Sequence, residues 1–198
     1  MEWYTIAFIL FLIMDPLGNI SSFLGLVKEI PRKEINKIVI REMLIALSIM
    51  LLFNFIGEYL FDLLHVSEKT VRITGAVILF LSAIKILFPT IDSPRNNLPP
   101  GEPYIVPLAV PLIASPALLA MIMLFAHIVP NISFMLMAIL SAWLASSFIL
   151  LNANRIQKVL GSNGLVAIER LMGMVLVLIA IQKFLEGIQL FVKSCKLG

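Results

Sequence analysis

Two short runs in this sequence bring together residue types that a strongly apolar chain seldom carries. The first is Met14-Asp15-Pro16-Leu17-Gly18-Asn19, which places an acid, a proline, a glycine and an amide side by side. The second is Val106-Pro107, followed by Pro111 and then by Ala114-Ser115-Pro116-Ala117. Proline removes a backbone donor and displaces the carbonyl one turn earlier, while glycine lets the backbone turn. Each run therefore predicts a helix that stops and restarts. The N–H groups of a restarting half-helix attract a carboxylate, whereas freed carbonyls and an aspartate attract a cation or an ammonium group. A small zwitterion suits such a site. Its candidate binding residues are Asp15, Gly18, Asn19 and Ser115, with Pro16, Pro107, Pro111 and Pro116 as the helix breaks. Two compatible roles stay open for Asp15: capping the second half-helix through N–H groups beyond Pro16, or binding a coupling proton or Na⁺.

The background around these runs decides what they mean. The chain has 198 residues, 60% hydrophobic and 14% charged, with mean hydropathy +1.02; soluble domains run at about 45–50% and about 25%. Six apolar segments emerge, at about 3–27, 38–61, 71–88, 104–129, 132–151 and 169–191, each long enough for a helix across a ~30 Å hydrocarbon core. Alternating barrel strands are absent, so the expected class is an all-α membrane protein of six transmembrane helices, with helices one and four interrupted. No second, water-soluble domain fits, and the basic residues sit between spans rather than on a nucleic-acid-binding face. Residues 1–14 carry Glu2 and no cleavage pattern, which reads as a retained first span rather than a signal peptide. The lone Cys195 builds neither a disulfide framework nor a metal site within one chain.

Charge sets the orientation. Ten of the 15 Lys and Arg residues flank the first, third and fifth connections, and five (Lys69, Arg72, Lys183, Lys193, Lys196) lie on the other side. Positive residues favour the cytoplasm, so both termini are expected outside it. The proline-rich stretch 89–103 reads as a linker between a first repeat at 1–88 and a second at 104–198. Span six repeats span three at a spacing of 98: Arg72, Gly75, Val77, Lys85 and Leu87 correspond to Arg170, Gly173, Val175, Lys183 and Leu185. Three spans per half is an odd number, so the second half runs through the membrane inverted. Inverted repeats with broken helices at the midplane are a common design of secondary transporters.

Asp15-Pro16-Leu17-Gly18-Asn19, the run Val106-Pro107-Leu108-Ala109-Val110-Pro111-Leu112, and Asn163-Gly164 through Ile168-Glu169-Arg170-Leu171-Met172-Gly173 together resemble the MarC family of bacterial and archaeal membrane proteins. The resemblance covers almost the whole chain. It implies a six-span inner-membrane protein, and some relatives are described as transporters of small neutral amino acids such as alanine and glycine. Ser21 stands where relatives usually have proline, and Ser115 and Ala117 replace the glycines of a usual Gly-Pro-Gly.

Other polar residues have plainer readings. Asn54 and Glu58 share a face near the outer end of span two, and Ala142 with Ser146, like Ser141 with Ala145, has the small-xxx-small spacing of close helix packing. Lys85 and Lys183 are expected to snorkel to the headgroups, His127 to sit at the interface, and His65 to lie in a loop. There is no HExxH, phosphate-binding glycine loop, nucleophile elbow or Cys/His cluster, so catalysis is not expected. The expectation is a secondary transporter of small neutral amino acids or similar metabolites in the inner membrane, with the bilayer and that small molecule as its partners. A non-transporting membrane scaffold and a passive channel are the alternatives. Monomer and homo-oligomer stay equally open, because lipid-facing and partner-facing surfaces share a composition.

Overall fold

The structure is a computed structural model that describes residues 2–27, 31–63, 65, 67–88, 113–129 and 131–196. The linker at 89–103 and the breaks at Pro107 and Pro111 lie outside the described residues. Among the described residues there are seven helices and no strand: α1 (Trp3–Met14), α2 (Asn19–Leu26), α3 (Arg32–Leu63), α4 (Glu68–Leu87), α5 (Pro116–Ile128), α6 (Ile132–Leu151) and α7 (Ala153–Lys196). Among the described residues, four stretches are long and apolar enough to cross a membrane: Glu34–Gly57, Lys69–Leu87, Ile132–Leu151 and Ala153–Lys193. Two more apolar helices, α1 and α5, are only 12 and 13 residues long, so they rise about 18 and about 20 Å, little more than half a bilayer core.

The first expected span is thus interrupted where Pro16 and Gly18 stand, and α5 starts at Pro116 with Ser115 as its cap. The last differs from expectation at its start. The chain is helical from Ala153 rather than from about residue 169, and it bends at Gly161, whose φ of 68° and ψ of 173° are not helical. A straight 44-residue helix would reach about 66 Å, twice the core thickness. Gly161 supplies the positive φ that turns the segment before it away from the span that follows.

The longest shared surface joins α4 and α7. Gly187 lies over Ile73 and Gly173 over Ile86 and Leu87, so the two helices run antiparallel, and each glycine brings a backbone close to its neighbour. At one end Lys69 sits over the Phe191 ring, 5.7 Å from its centre. Elsewhere α6 packs on α1 and α3, and α5 fills the space between α3 and α4. Lipid-facing residues such as Phe148, Leu178 and Leu81 stay exposed, as expected where the solvent is hydrocarbon.

The α4–α7 contact yields a stability prediction. At Gly187 an added Cβ would meet Ile73 Cγ1 at 2.7 Å and Ile73 N at 3.3 Å, whereas at Gly25 it would meet nothing within 4 Å. Gly187→Val should lower stability in detergent by about 1–3 kcal/mol. Gly25→Ala should be neutral or stabilising by up to about 1 kcal/mol, both read from thermal melting curves.

Candidate functional site

Hydrogen-bond accounting explains how the chain survives a break inside an apolar core. Beyond Met14 the backbone turns at Asp15, which adopts the left-handed conformation (φ 44°, ψ 55°) and donates its N–H to the carbonyls of Phe11 and Leu12. Aspartate is one of the few residues besides glycine that visit this region readily. The Met14 carbonyl accepts from Asn19 Nδ2 at 2.9 Å. Asn19 N donates to the Asp15 carbonyl at 3.0 Å. Pro16 has no N–H to lose, and Gly18 N donates to Asp15 Oδ1 at 3.2 Å. Asp15 therefore closes the turn that leads into α2, whose own N-cap position, Gly18, carries no side-chain cap bond. Both Asp15 and Asn19 are buried, at 1% and 2% exposure.

Gly18 has a steric reason as well. Its φ of −65° is ordinary, but an added Cβ would overlap the Asp15 carboxylate. The cap and the glycine are one device: the carboxylate folds back over the turn because position 18 has no side chain.

The second break has the same local chemistry. Ser115 Oγ accepts from Leu118 N at 3.2 Å, and Pro116 occupies the first turn of α5. Asp15 and Ser115 thus each accept from a backbone N–H three residues ahead and are each followed by a proline whose missing N–H costs nothing there, Ser115 as the N-cap of α5 and Asp15 in the turn before α2. If Trp3 and Ile128 mark one membrane face, both caps lie about 18–20 Å below it. α1 and α5 also touch directly.

α6 forms the wall beside the first break. It carries no charged residue, and its inner stripe is Met135, Ala138, Ile139, Ala142, Ser146 and Leu150. The Ala142–Ser146 pair is buried, as close packing requires, whereas Ala145 of the other small pair is exposed. Ser146 Oγ lies 3.5 Å from Met14 Sδ. One turn away, Trp143 Nε1 donates to the Met43 carbonyl of α3 at 2.7 Å.

That contact exposes a residue not singled out from the sequence. Glu42, beside Met43, is fully buried, on the same stripe of α3 as Val39, Met43, Ala46 and Met50. Its Oε1 accepts from Arg41 Nε at 2.9 Å and lies 2.8 Å from Arg41 Nη2. The signal in the sequence is an Arg-Glu pair inside a helix that is otherwise apolar, masked because Arg41 counts with the basic flank of the first connection.

Lys183 departs from its expected place. Rather than snorkelling, it is buried at 6% exposure and reaches Glu186 Oε2 at 2.8 Å, with Arg72 Nη1 of α4 on the same oxygen at 3.5 Å. The carboxylate one turn further along α7 outcompetes the headgroup region, since a short charge-assisted bond needs no stretched side chain. Lys85 is exposed near the end of α4, in keeping with its expected role. Among the described residues no three His, Cys, Asp or Glu side chains gather to hold a metal.

Comparison with known proteins agrees with the motifs. The family model described as "MarC family integral membrane protein" matches residues 1–192. The chain is 45% identical over 195 residues to the UPF0056 inner membrane protein YhgN of Escherichia coli strain K12, covering 98% of this chain and 99% of that one. It is 44% identical to UPF0056 membrane protein BU449 of Buchnera aphidicola, over 94% of this chain and 95% of the other, and 30% identical to a UPF0056 membrane protein of Chlamydia pneumoniae, over 93% of each. No solved structure matches.

The caps can be tested by stability alone. Asp15→Ala and Ser115→Ala should each lose about 0.5–2 kcal/mol, with Asp15→Ala at the upper end because alanine also resists the positive φ. Asp15→Asn keeps an accepting oxygen and should melt close to the parent in the same detergent.

Proposed function

This chain belongs to the MarC family of integral membrane proteins and is a multi-pass protein of the inner membrane; from that premise we propose that it is a secondary transporter of small neutral amino acids or similar zwitterionic metabolites. The observation that carries this reading is the pair of matched caps. Two half-length helices meet polar, proline-broken turns at similar depth, with Asp15 at one and Ser115 at the other. Backbone of this kind is tolerated inside a bilayer only where protein or a water-filled cavity receives it. In the mechanism proposed, half-helix N–H groups with Asn19 and Ser115 hold the substrate carboxylate, and Asp15 carries its ammonium group or a coupling cation. Alternating access comes from rocking of the two halves about this site.

The proposed architecture is six spans in two inverted three-helix repeats. Several contacts support it. Asp15-Pro16 and Ser115-Pro116 are 100 positions apart, and so are Met43 and Trp143, which touch each other. In a pair of repeats related by a two-fold axis, corresponding residues can meet only on that axis, so the Met43–Trp143 contact fits an axis between spans two and five. α4 against α5 has its counterpart in α7 against α2, and the antiparallel crossing of α4 with α7 fits spans that traverse in opposite directions. With this topology the charge count still reads both termini outside the cytoplasm.

One observation favours a non-transporting scaffold: the first break is closed, with Asp15 and Asn19 buried against α6. A rocking transporter passes through an occluded state of the same description. The distinguishing measurement is flux of labelled alanine, glycine and serine in proteoliposomes under imposed pH and Na⁺ gradients. Transport is expected for at least one of them, and Asp15→Asn, folded but uncharged at the break, should abolish it. Flux of nothing under any gradient would favour the scaffold, and leak without ion coupling a passive channel.

A further inference from the structure

The buried carboxylate of Glu42 has no part in the proposed substrate site, yet it lies beside the contact that ties α3 to α6. Trp143 lies eleven residues into the 20-residue α6, about 17 Å from its start and so near the middle of that helix, and its indole reaches the Met43 carbonyl beside Glu42. On α6, Trp143 and Ser146 are one turn apart, and Ser146 touches Met14 beside Asp15. One face of one helix therefore links the residue next to Glu42 with the residue next to Asp15.

Each carboxylate has one oxygen engaged and the other, Oδ2 of Asp15 and Oε2 of Glu42, buried; what the engaged oxygen holds differs. Asp15 Oδ1 is committed to Gly18 N–H, a bond that belongs to the turn itself. Glu42 is not part of any turn. Its Oε1 takes both contacts from Arg41, while Oε2 is buried with no hydrogen-bond partner among the described residues. Arg41 is the outward member of the pair, at 46% side-chain exposure, whereas the Glu42 side chain is at 0%. Of the helices packed on α3, α6 carries no charged residue and α5 carries only His127, four residues past Met123, which packs on Gly57, fifteen residues along α3 from Glu42.

Resting on the transporter reading, we propose that Glu42 carries the coupling proton. Oε2 takes a proton from water on one side of the membrane, giving a neutral carboxyl whose bond to Arg41 is weakened from an ion pair to a neutral acceptor. The reverse step returns the proton to water on the other side. The change falls where α3 meets α6, the contact across which the two halves rock, so protonation biases one arrangement over the other. A proton fits better than Na⁺, because a metal cation needs several converging oxygens and, among the described residues, no three His, Cys, Asp or Glu side chains gather to supply them. Asp15 is then left for the substrate ammonium group.

Two measurements test this. In lipid nanodiscs, infrared difference spectra between acidic and alkaline buffer should contain a protonated-carboxyl band that is lost in Glu42→Gln and kept in Asp15→Asn. In proteoliposomes, Glu42→Gln should retain alanine–alanine exchange and lose accumulation driven by a pH gradient, and Glu42→Asp should keep both. Absence of the Glu42 band, pH-driven accumulation surviving in Glu42→Gln, or accumulation driven by Na⁺ alone would each overturn the assignment. If the parent protein moves no amino acid at all, the transporter reading fails, and the infrared band by itself decides whether Glu42 exchanges a proton.

Discussion

Everything in this fold depends on satisfying backbone groups where no water is available to do it. At the first break, the orphan donors and acceptors would each cost on the order of 1–3 kcal/mol if left bare. They are closed internally instead. The Asp15 N–H returns to α1, the Met14 carbonyl takes Asn19, and Gly18 N–H takes the Asp15 carboxylate. Because that carboxylate folds over a glycine, the turn is compact enough to be buried. Once the break is self-sufficient, α1 can stop halfway and α6 can pack against its end.

The rest of the arrangement follows from which surfaces are small. The inner stripe of α6 is largely alanine and serine near the break, so α1 approaches closely and Ser146 comes against Met14. Gly173 and Gly187 do the same for α7 against α4. In lipid, where burying leucine gains little over exposing it, such close approaches and the few polar bonds across them decide which helices pair. The Trp143 bond to Met43 and the Arg72–Glu186–Lys183 cluster are of that kind. Each ties spans far apart in the chain.

Much of this was legible in the residues alone. The breaks at Asp15–Gly18 and at Ser115–Pro116 could be read because proline and glycine act on their own backbone, and a cap is a bond over three residues. The family could be read because its motifs are local runs. The role of Lys183 could not. A lysine in an apolar helix snorkels or pairs according to what a neighbour presents, and Arg72 is more than a hundred positions away. Glu42 was hidden for a related reason: beside Arg41 it looks like one half of an interfacial pair.

Length, hydropathy and the spacing of a few prolines and glycines determined that the chain spans a membrane, where its helices break, and which side chains cap them. Those are short-range matters, settled within a helical turn. Only the tertiary structure decided that Asp15 is buried where α1 meets α6, that Glu42 is buried beside the α3–α6 contact, and that α4 and α7 lie antiparallel. Those outcomes depend on which apolar faces meet, and in a chain that is 60% hydrophobic many faces could meet on composition alone.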